Sequence, residues 1–269
     1  MLGAIIGDIV GSIYEFDNIK TKDFEFFQPE MERTDDSILC IATADWLLHG
    51  GEVSHYYSRY ALEYPYPMGG YGGMFKAWSS KVARQGIHEP YNSCGNGSAM
   101  RIAPVGWAFE TEREVLEAAK VSASCTHNHP EGIKGAQATA LCIFLARQGH
   151  TASDIRARIE RDFGYDLSMS VEELQRRYSW QGIDGKGDGG ICQDSVPQAI
   201  ICALQAKDFE DAIRNAISIG GDSDTIGCIA GGIAEALYGI PESIKERAWK
   251  YLDETEGRTV RSFIQKYSI

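Results

Sequence analysis

Three small groups of acidic and hydroxyl side chains carry most of the chemistry this sequence can offer. Thr34, Asp35, Asp36 and Ser37 stand together in "RTDDSILC", at the head of an apolar run. Asp222, Asp224 and Thr225 stand together in "GGDSDTIGCIAGG", again where an apolar run begins. Asp8 and Glu15 lie seven residues apart, on nearly the same face of a first helix. Each of the first two groups can be read as an ordinary helix start, because Thr or Asp there accepts backbone N–H bonds and a carboxylate suits the positive helix end. One carboxylate satisfies that need, and two at each start exceed it. Like charges so close repel, so a compensating cation is expected. Carboxylate and hydroxyl oxygens are the ligands a hard divalent cation prefers. Four carboxylates suffice for two Mg²⁺ or Mn²⁺ ions with one carboxylate bridging. The histidines show neither H-E-x-x-H nor a Cys/His finger spacing, so zinc is not indicated.

Two further stretches have chemical potential. In "SCGNGSAMRIAPVGW", Gly95, Asn96, Gly97 and Ser98 make a small-residue turn whose N–H groups can cradle a phosphate or simply start a helix. Arg101 beside it is an anion donor or half of a structural ion pair. In "CTHNHPEG", His127 and His129 sit two apart, a spacing open to metal binding, to a ligand contact or to plain solvation. Gly185, Gly187 and Gly190 match G-x-G-x-x-G, but no strand precedes them and no βαβ unit surrounds them, so a dinucleotide site is rejected.

The elements that must position these residues read as helices. Apolar spacings of three and four recur over 37–50, 112–124, 132–149, 196–206, 208–220, 227–239, 242–254 and 258–268. Pro197 is expected in a first helical turn, and Pro241 after Gly239 where a helix stops. Only "DFEFFQ" (23–28) alternates, and it stands alone. The expectation is an all-α fold, one compact domain over 1–269, with 182–190 as a surface loop. Gly3, Gly7 and Gly11 recur every four residues, as do Gly227 and Gly231. Each glycine costs a helix about 1 kcal/mol relative to alanine, so such stripes need a packing reason. Close approach of the two helices would also bring the groups at their ends toward one centre.

Composition narrows the partners. With 26 Lys plus Arg against 38 Asp plus Glu, the net charge of −12 argues against nucleic acid and against an anionic membrane surface. A phosphate-bearing ligand must then be met by local donors or by bound cations. Seven dispersed cysteines with no C-x-x-C pair read as free thiols of a reducing compartment. No secretory signal or membrane span is read, so a cytoplasmic monomer is expected.

The segments "GAIIGDIVGSIYEF", "RTDDS", "GNGSAMRIAPVG", "THNHPEG", "VPQAIICAL" and "GGDSDTIGCIAGGIAEALYG" occur in the order and at roughly the spacing of the ADP-ribosylglycohydrolase family. This is the family of the enzyme that reactivates ADP-ribosylated dinitrogenase reductase. The sequence resembles that family from residue 3 to about residue 240. The resemblance implies a bundle of mostly orthogonal helices. It implies metal ligation by Thr34, Asp35 and Asp36 and by Asp222, Asp224 and Thr225, with Asp224 bridging. It further implies a catalytic and gating role for Glu15, with Asp36 the second candidate acid/base. Asn96, Gly97, Ser98 and Met100 would line the diphosphate and distal ribose, and His127 the adenosine side. The first motif commonly reads T-D-D-T; Ser37 stands in its last place here and retains a hydroxyl. The implied reaction is hydrolysis at C1″ of an ADP-ribosylated protein or a small ADP-ribose conjugate. A catalytically silent binder and a metallohydrolase acting at phosphorus are the alternatives. The stretches 63–92 and 160–192, with Tyr64, Tyr66, Tyr71, Trp78 and Trp180, are placed at the cleft rim or in the core.

Overall fold

The computed structural model describes residues 1–269 and contains fifteen α-helices and no sheet. First come α1 (Leu2–Gly11), α2 (Asp35–His49), α3 (Val53–Glu63) and α4 (Gly73–Gln85). Two short helices follow, α5 (Gly97–Met100) and α6 (Ala103–Ala108), then α7 (Glu112–Ser124), α8 (Pro130–Arg147), α9 (Ala152–Phe163) and α10 (Val171–Arg177). The last five are α11 (Cys192–Leu204), α12 (Phe209–Ser218), α13 (Ser223–Tyr238), α14 (Glu242–Ala248) and α15 (Glu254–Tyr267). All eight helices read from periodicity are present, within a few residues at each end. The first helix, α1, was read as well and α5 was left open as a helix start; five more, α3, α4, α6, α9 and α10, were not foreseen. The alternating stretch 23–28 forms no strand; Phe26 and Phe27 are buried instead, with Phe27 stacked on Tyr251.

The glycine stripes do what their cost implied. α1 and α13 pack antiparallel at the centre of one hydrophobic core, and α1 is buried along its whole length. A Cβ on Gly7 would stand 1.9 Å from the carbonyl oxygen of Gly227, and one on Gly3 would stand 2.3 Å from that of Gly231. At the far end a Cβ on Gly11 would meet the Asp224 Cα at 2.5 Å. Backbone therefore touches backbone, and the C-terminal end of α1 is pressed against the N-terminal end of α13, where the acidic residues lie.

Two sequence expectations need correction. Glu15 does not share a helical face with Asp8, because α1 stops at Gly11 and a tight 3₁₀ turn (Ser12–Tyr14) follows. Pro197 is not in a first turn: α11 begins at Cys192, so Pro197 lies inside it. The hydrogen bond lost there is that of its missing N–H. Gly239 ends α13 with φ 69°, and Pro241 follows as expected. The seven cysteines are all unpaired, and no helix is long and apolar enough to cross a membrane.

Two isolated bridges tie loops to the centre. Thr34 pairs with Met68, and Gly95 with Ile191. They bring the 69–72 segment and Gly190 to the wall of one cleft.

Candidate active site

Thr34 is the N-cap of α2, its hydroxyl accepting the N–H of Asp36 at 3.2 Å. What holds this corner is Asp8, reaching across from α1. Its Oδ2 accepts the N–H of Thr34 (3.0 Å), the N–H of Ser37 (3.1 Å) and the Ser37 hydroxyl, and its Oδ1 accepts the Thr34 hydroxyl at 2.6 Å. Both oxygens of Asp8 are thus committed to the helix start, which leaves Asp35 and Asp36 free to face the cleft. Asp36 Oδ2 is buried without any hydrogen-bond partner.

The facing corner begins at Asp222, just before α13. Its Oδ2 accepts the side-chain amide of Asn96 at 2.7 Å, and Asn96 is itself held by backbone bonds to Gly190. Asp224 lies in the first turn of α13, its Oδ1 accepting the Thr225 N–H at 3.0 Å. The 3₁₀ turn after α1 brings Glu15 to the same place. Its backbone carbonyl accepts the Trp180 indole N–H at 2.8 Å and the Asn18 amide at 3.1 Å. A Cβ on Gly69 would come within 2.7 Å of Glu15 Oε2, so that glycine makes room for the carboxylate.

The residues from opposite ends of the chain do meet. Carboxylate oxygens of Asp36, Asp224 and Asp8 lie within 4.8 Å of one another, as do those of Glu15, Asp222 and Asp224. Asp224 is common to both groups. Burial of so many like charges has its usual consequence. Asp35 and Asp36 are held well above the ordinary carboxylate range by burial first and by the Asp224 charge second. Asp224 is raised by burial and by Asp222, and Asp222 is pushed up to about 6 by burial. Glu15 is pushed up to about 8 by burial and by the charges of Asp224 and Asp8. Carboxylates in this state are strong acceptors for a cation, and the orphaned Asp36 oxygen is a buried acceptor without a donor.

These groups line a cleft of about 530 Å³, the size of a nucleotide-like ligand site. Asn96, Gly97, Met100, His127 and Thr225 are on its wall, as is the 69–75 segment. Ser98 is not: its hydroxyl donates to the Gly132 carbonyl at 2.7 Å, within the core. Of the rim aromatics, Tyr71 lines the cleft, whereas Trp78 is buried in the core and Tyr64 is turned toward Asp253. Trp180 stacks on the exposed Phe16 ring, 6.3 Å between centroids. Sequence reasoning missed that Asp8 clamps the α2 start and that Gly69 yields space to Glu15. A signal for the first existed, since an aspartate in an apolar, glycine-striped helix needs hydrogen-bond donors.

Residues 1–267 match the family model of the ADP-ribosylglycohydrolases. The chain belongs to the ADP-ribosylglycohydrolase family. Human ADP-ribosylhydrolase ARH3 is 30% identical over 95% of this chain and 89% of its own length. The ADP-ribosylarginine hydrolase Tri1 of Pseudomonas putida is 27% identical over 93% of this chain and 73% of its own. A solved structure titled "ADP-ribosylglycohydrolase-related protein complex" superposes with a TM-score of 0.68 at 24% identity, covering 98% of this chain and 96% of that one. That last likeness establishes the helical fold. The family and its named relatives support an enzyme of the ADP-ribosylglycohydrolase class.

Proposed function

We propose that the protein hydrolyses the α-glycosidic bond between C1″ of ADP-ribose and a modified protein side chain or small conjugate, using two Mg²⁺ or Mn²⁺ ions. The observation that carries this reading is the convergence of Asp36, Asp224, Asp222 and Glu15 at one end of a nucleotide-sized cleft. Thr34, Asp35, Asp36, Asp222, Asp224 and Thr225 would hold the ions, with Asp224 shared. Thr34 suits this role because its hydroxyl donates to Asp8 and accepts one N–H, leaving a lone pair free. Bound there, the cations would supply Lewis-acid polarisation and offset the clustered charge.

The chain's own residues do the rest. Glu15 stands at the rim of the acidic centre, anchored by Trp180 and Asn18, with its carboxylate toward Asp224. It takes the proton of the attacking water as the water oxygen bonds to C1″; the bond to the leaving group breaks with its electron pair passing to the leaving atom, which receives that proton. Asp36 is the second candidate for that proton. Asn96 fixes Asp222, and the turn at Gly97 presents N–H groups to an anionic diphosphate that an acidic protein would otherwise repel.

The test is a panel of defined ADP-ribose conjugates incubated with Mg²⁺, with Mn²⁺ or with chelator, products being identified by mass. Release of intact ADP-ribose that requires the cation is expected. Glu15→Gln should lower kcat by about 10²–10⁴-fold, the usual range for a lost general base, while ADP-ribose binding persists. Cleavage at phosphorus, or tight ADP-ribose binding with no turnover on any conjugate, would refute the reading.

The raised pKa values predict a stability profile for the chelator-treated protein. Between the unfolded pKa values and the higher folded ones, the native state binds more protons than the unfolded chain, so stability falls as pH rises. The window runs from about pH 4 up to about pH 8, spanned by Asp222 and Glu15. Asp222 alone accounts for on the order of 2–3 kcal/mol over its whole span, about half of it between pH 5 and pH 8, so the metal-free protein should melt roughly 3–6 °C lower at pH 8 than at pH 5. Millimolar Mg²⁺ or Mn²⁺ should remove most of that difference in a thermal scan.

A further inference from the structure

We infer that Arg101 and Thr126 form a positioning relay that fixes His127 as the Nε2–H tautomer and aims that N–H into the cleft as a donor to the bound ligand. Arg101 is a fully buried arginine immediately after α5, its guanidinium 4.0 Å over the ring of the equally buried Tyr57. None of its nitrogens meets a carboxylate. Nη2 donates to the Ser122 carbonyl and to the Thr126 hydroxyl, each at 2.8 Å, while Nε and Nη1 have no partner. A buried, unpaired guanidinium is costly to keep. It is also a donor that can never turn round and accept.

That last property decides the next link. Thr126 is fully buried, and its Oγ1 lies 2.8 Å from Arg101 Nη2 and 2.8 Å from His127 Nδ1. The arginine must donate to it. If Nδ1 also carried a proton, the hydroxyl oxygen would face two donors at 2.8 Å and its own hydrogen would have to turn to the poorer acceptors beside it, the Tyr91 hydroxyl or the Cys125 thiol, a less favourable arrangement. The hydroxyl therefore donates to Nδ1, and the imidazole proton resides on Nε2. Burial and the Arg101 charge both hold His127 well below the ordinary imidazole range, so the ring stays neutral and keeps one donor.

The donor points somewhere useful. A Cβ on Gly97 would stand 3.1 Å from His127 Nε2, and one on Gly95 3.5 Å from it, so the ring edge faces the glycine turn at the cleft wall. The Tyr91 ring packs against the imidazole at 60°, and the His127 N–H is bonded to the Ala123 carbonyl at 2.7 Å, which leaves the ring little freedom. A neutral Nε2–H at this place suits an acceptor oxygen of a nucleotide diphosphate sugar. The identity of that ligand rests on the function proposed above; the tautomer does not.

Two variants separate the links. Thr126→Ser keeps the hydroxyl, and Thr126→Val removes it at nearly constant shape. In protein carrying ¹⁵N-histidine, NMR of His127 should show the Nε2–H form for the wild type and for Thr126→Ser, and a population moved toward Nδ1–H for Thr126→Val. ADP-ribose should bind Thr126→Val about 5–10-fold more weakly, the worth of one hydrogen bond, and in turnover the loss should fall on KM rather than kcat. A wild-type His127 protonated on Nδ1 would overturn the relay, and so would a valine variant with unchanged tautomer and affinity. If Thr126→Val does not fold, the wild-type and serine spectra still decide the tautomer. If wild-type protein binds no ADP-ribose, the proposed function fails while the spectra still test the relay.

Discussion

Asp224→Asn should lower ADP-ribose release by about 10³-fold or more, a loss of at least about 4 kcal/mol of transition-state stabilisation, and should stabilise the metal-free protein. The two effects have opposite signs for one reason. Asp224 is the carboxylate shared by the Asp36 and Glu15 groups, and its charge raises the pKa of Asp35, Asp36 and Glu15. Asparagine keeps the shape and still accepts the Thr225 N–H, so packing is preserved. What disappears is the central negative charge, which repels its neighbours and, in the proposed site, would be the ligand common to both cations. Metal-dependent stabilisation should vanish with it: cation at 100 times its Kd raises wild-type stability by about 2.7 kcal/mol, and the variant should gain almost none. Release within tenfold of wild type, measured with Mn²⁺ in excess, would show that the cluster is not the catalytic centre.

The corners of this site were legible because each is excessive where it stands. A helix start needs one capping group, and "TDDS" and "DSDT" offer several, so their surplus points outward to a ligand. Their meeting was legible through glycine, since stripes at Gly3, Gly7 and Gly11 and at Gly227 and Gly231 make sense only if two backbones touch. The family resemblance then suggested the chemistry, and the family match bears out the family.

Other features were hidden for physical reasons. α3 and α4 are polar on much of their surface and carry mixed aromatics, so they lack the long apolar runs that mark α8 and α13. α9 and α10 had a readable signal that periodicity overlooked: Thr151 with Asp154 and Ser170 with Glu173 form reciprocal capping boxes. Glu15 was assigned to a helical face because nothing local in "GSIYEF" marks the end of α1. The helix ends there because Gly11 is pressed on Asp224 and the chain tightens into a 3₁₀ turn, a tertiary cause with no local signature. Arg101 stayed open between anion donor and ion pair; no carboxylate pairs with it, its partners being a carbonyl, a hydroxyl and an aromatic face, and it stands in the lining of the cleft.

The same glycine contact makes a substitution far from any ligand the most damaging to the fold. Gly7→Ala adds one methyl group and, by helix propensity alone, should stabilise α1 by about 1 kcal/mol. The contact reverses the sign. The new Cβ would lie 1.9 Å from the Gly227 oxygen, 2.3 Å from its carbonyl carbon and 2.9 Å from the Cys228 nitrogen, all backbone atoms of α13. No side chain can rotate away, so the two central helices must separate, which costs more than the roughly 1–3 kcal/mol typical of overpacking. A urea midpoint lowered by the equivalent of more than about 3 kcal/mol, with the slope unchanged, is expected. Gly257→Ala in α15 is the control. Its Cβ would meet only the movable end of Arg261, at 3.2 Å, so that variant should be neutral or gain up to about 1 kcal/mol. Any Gly7→Ala protein that folds should also bind Mn²⁺ more weakly than wild type, because α1 carries Asp8, and Asp8 holds the α2 start against the end of α13. An unchanged midpoint would mean that α1 and α13 are not in backbone contact, and the acidic corners would lose the element that brings them together.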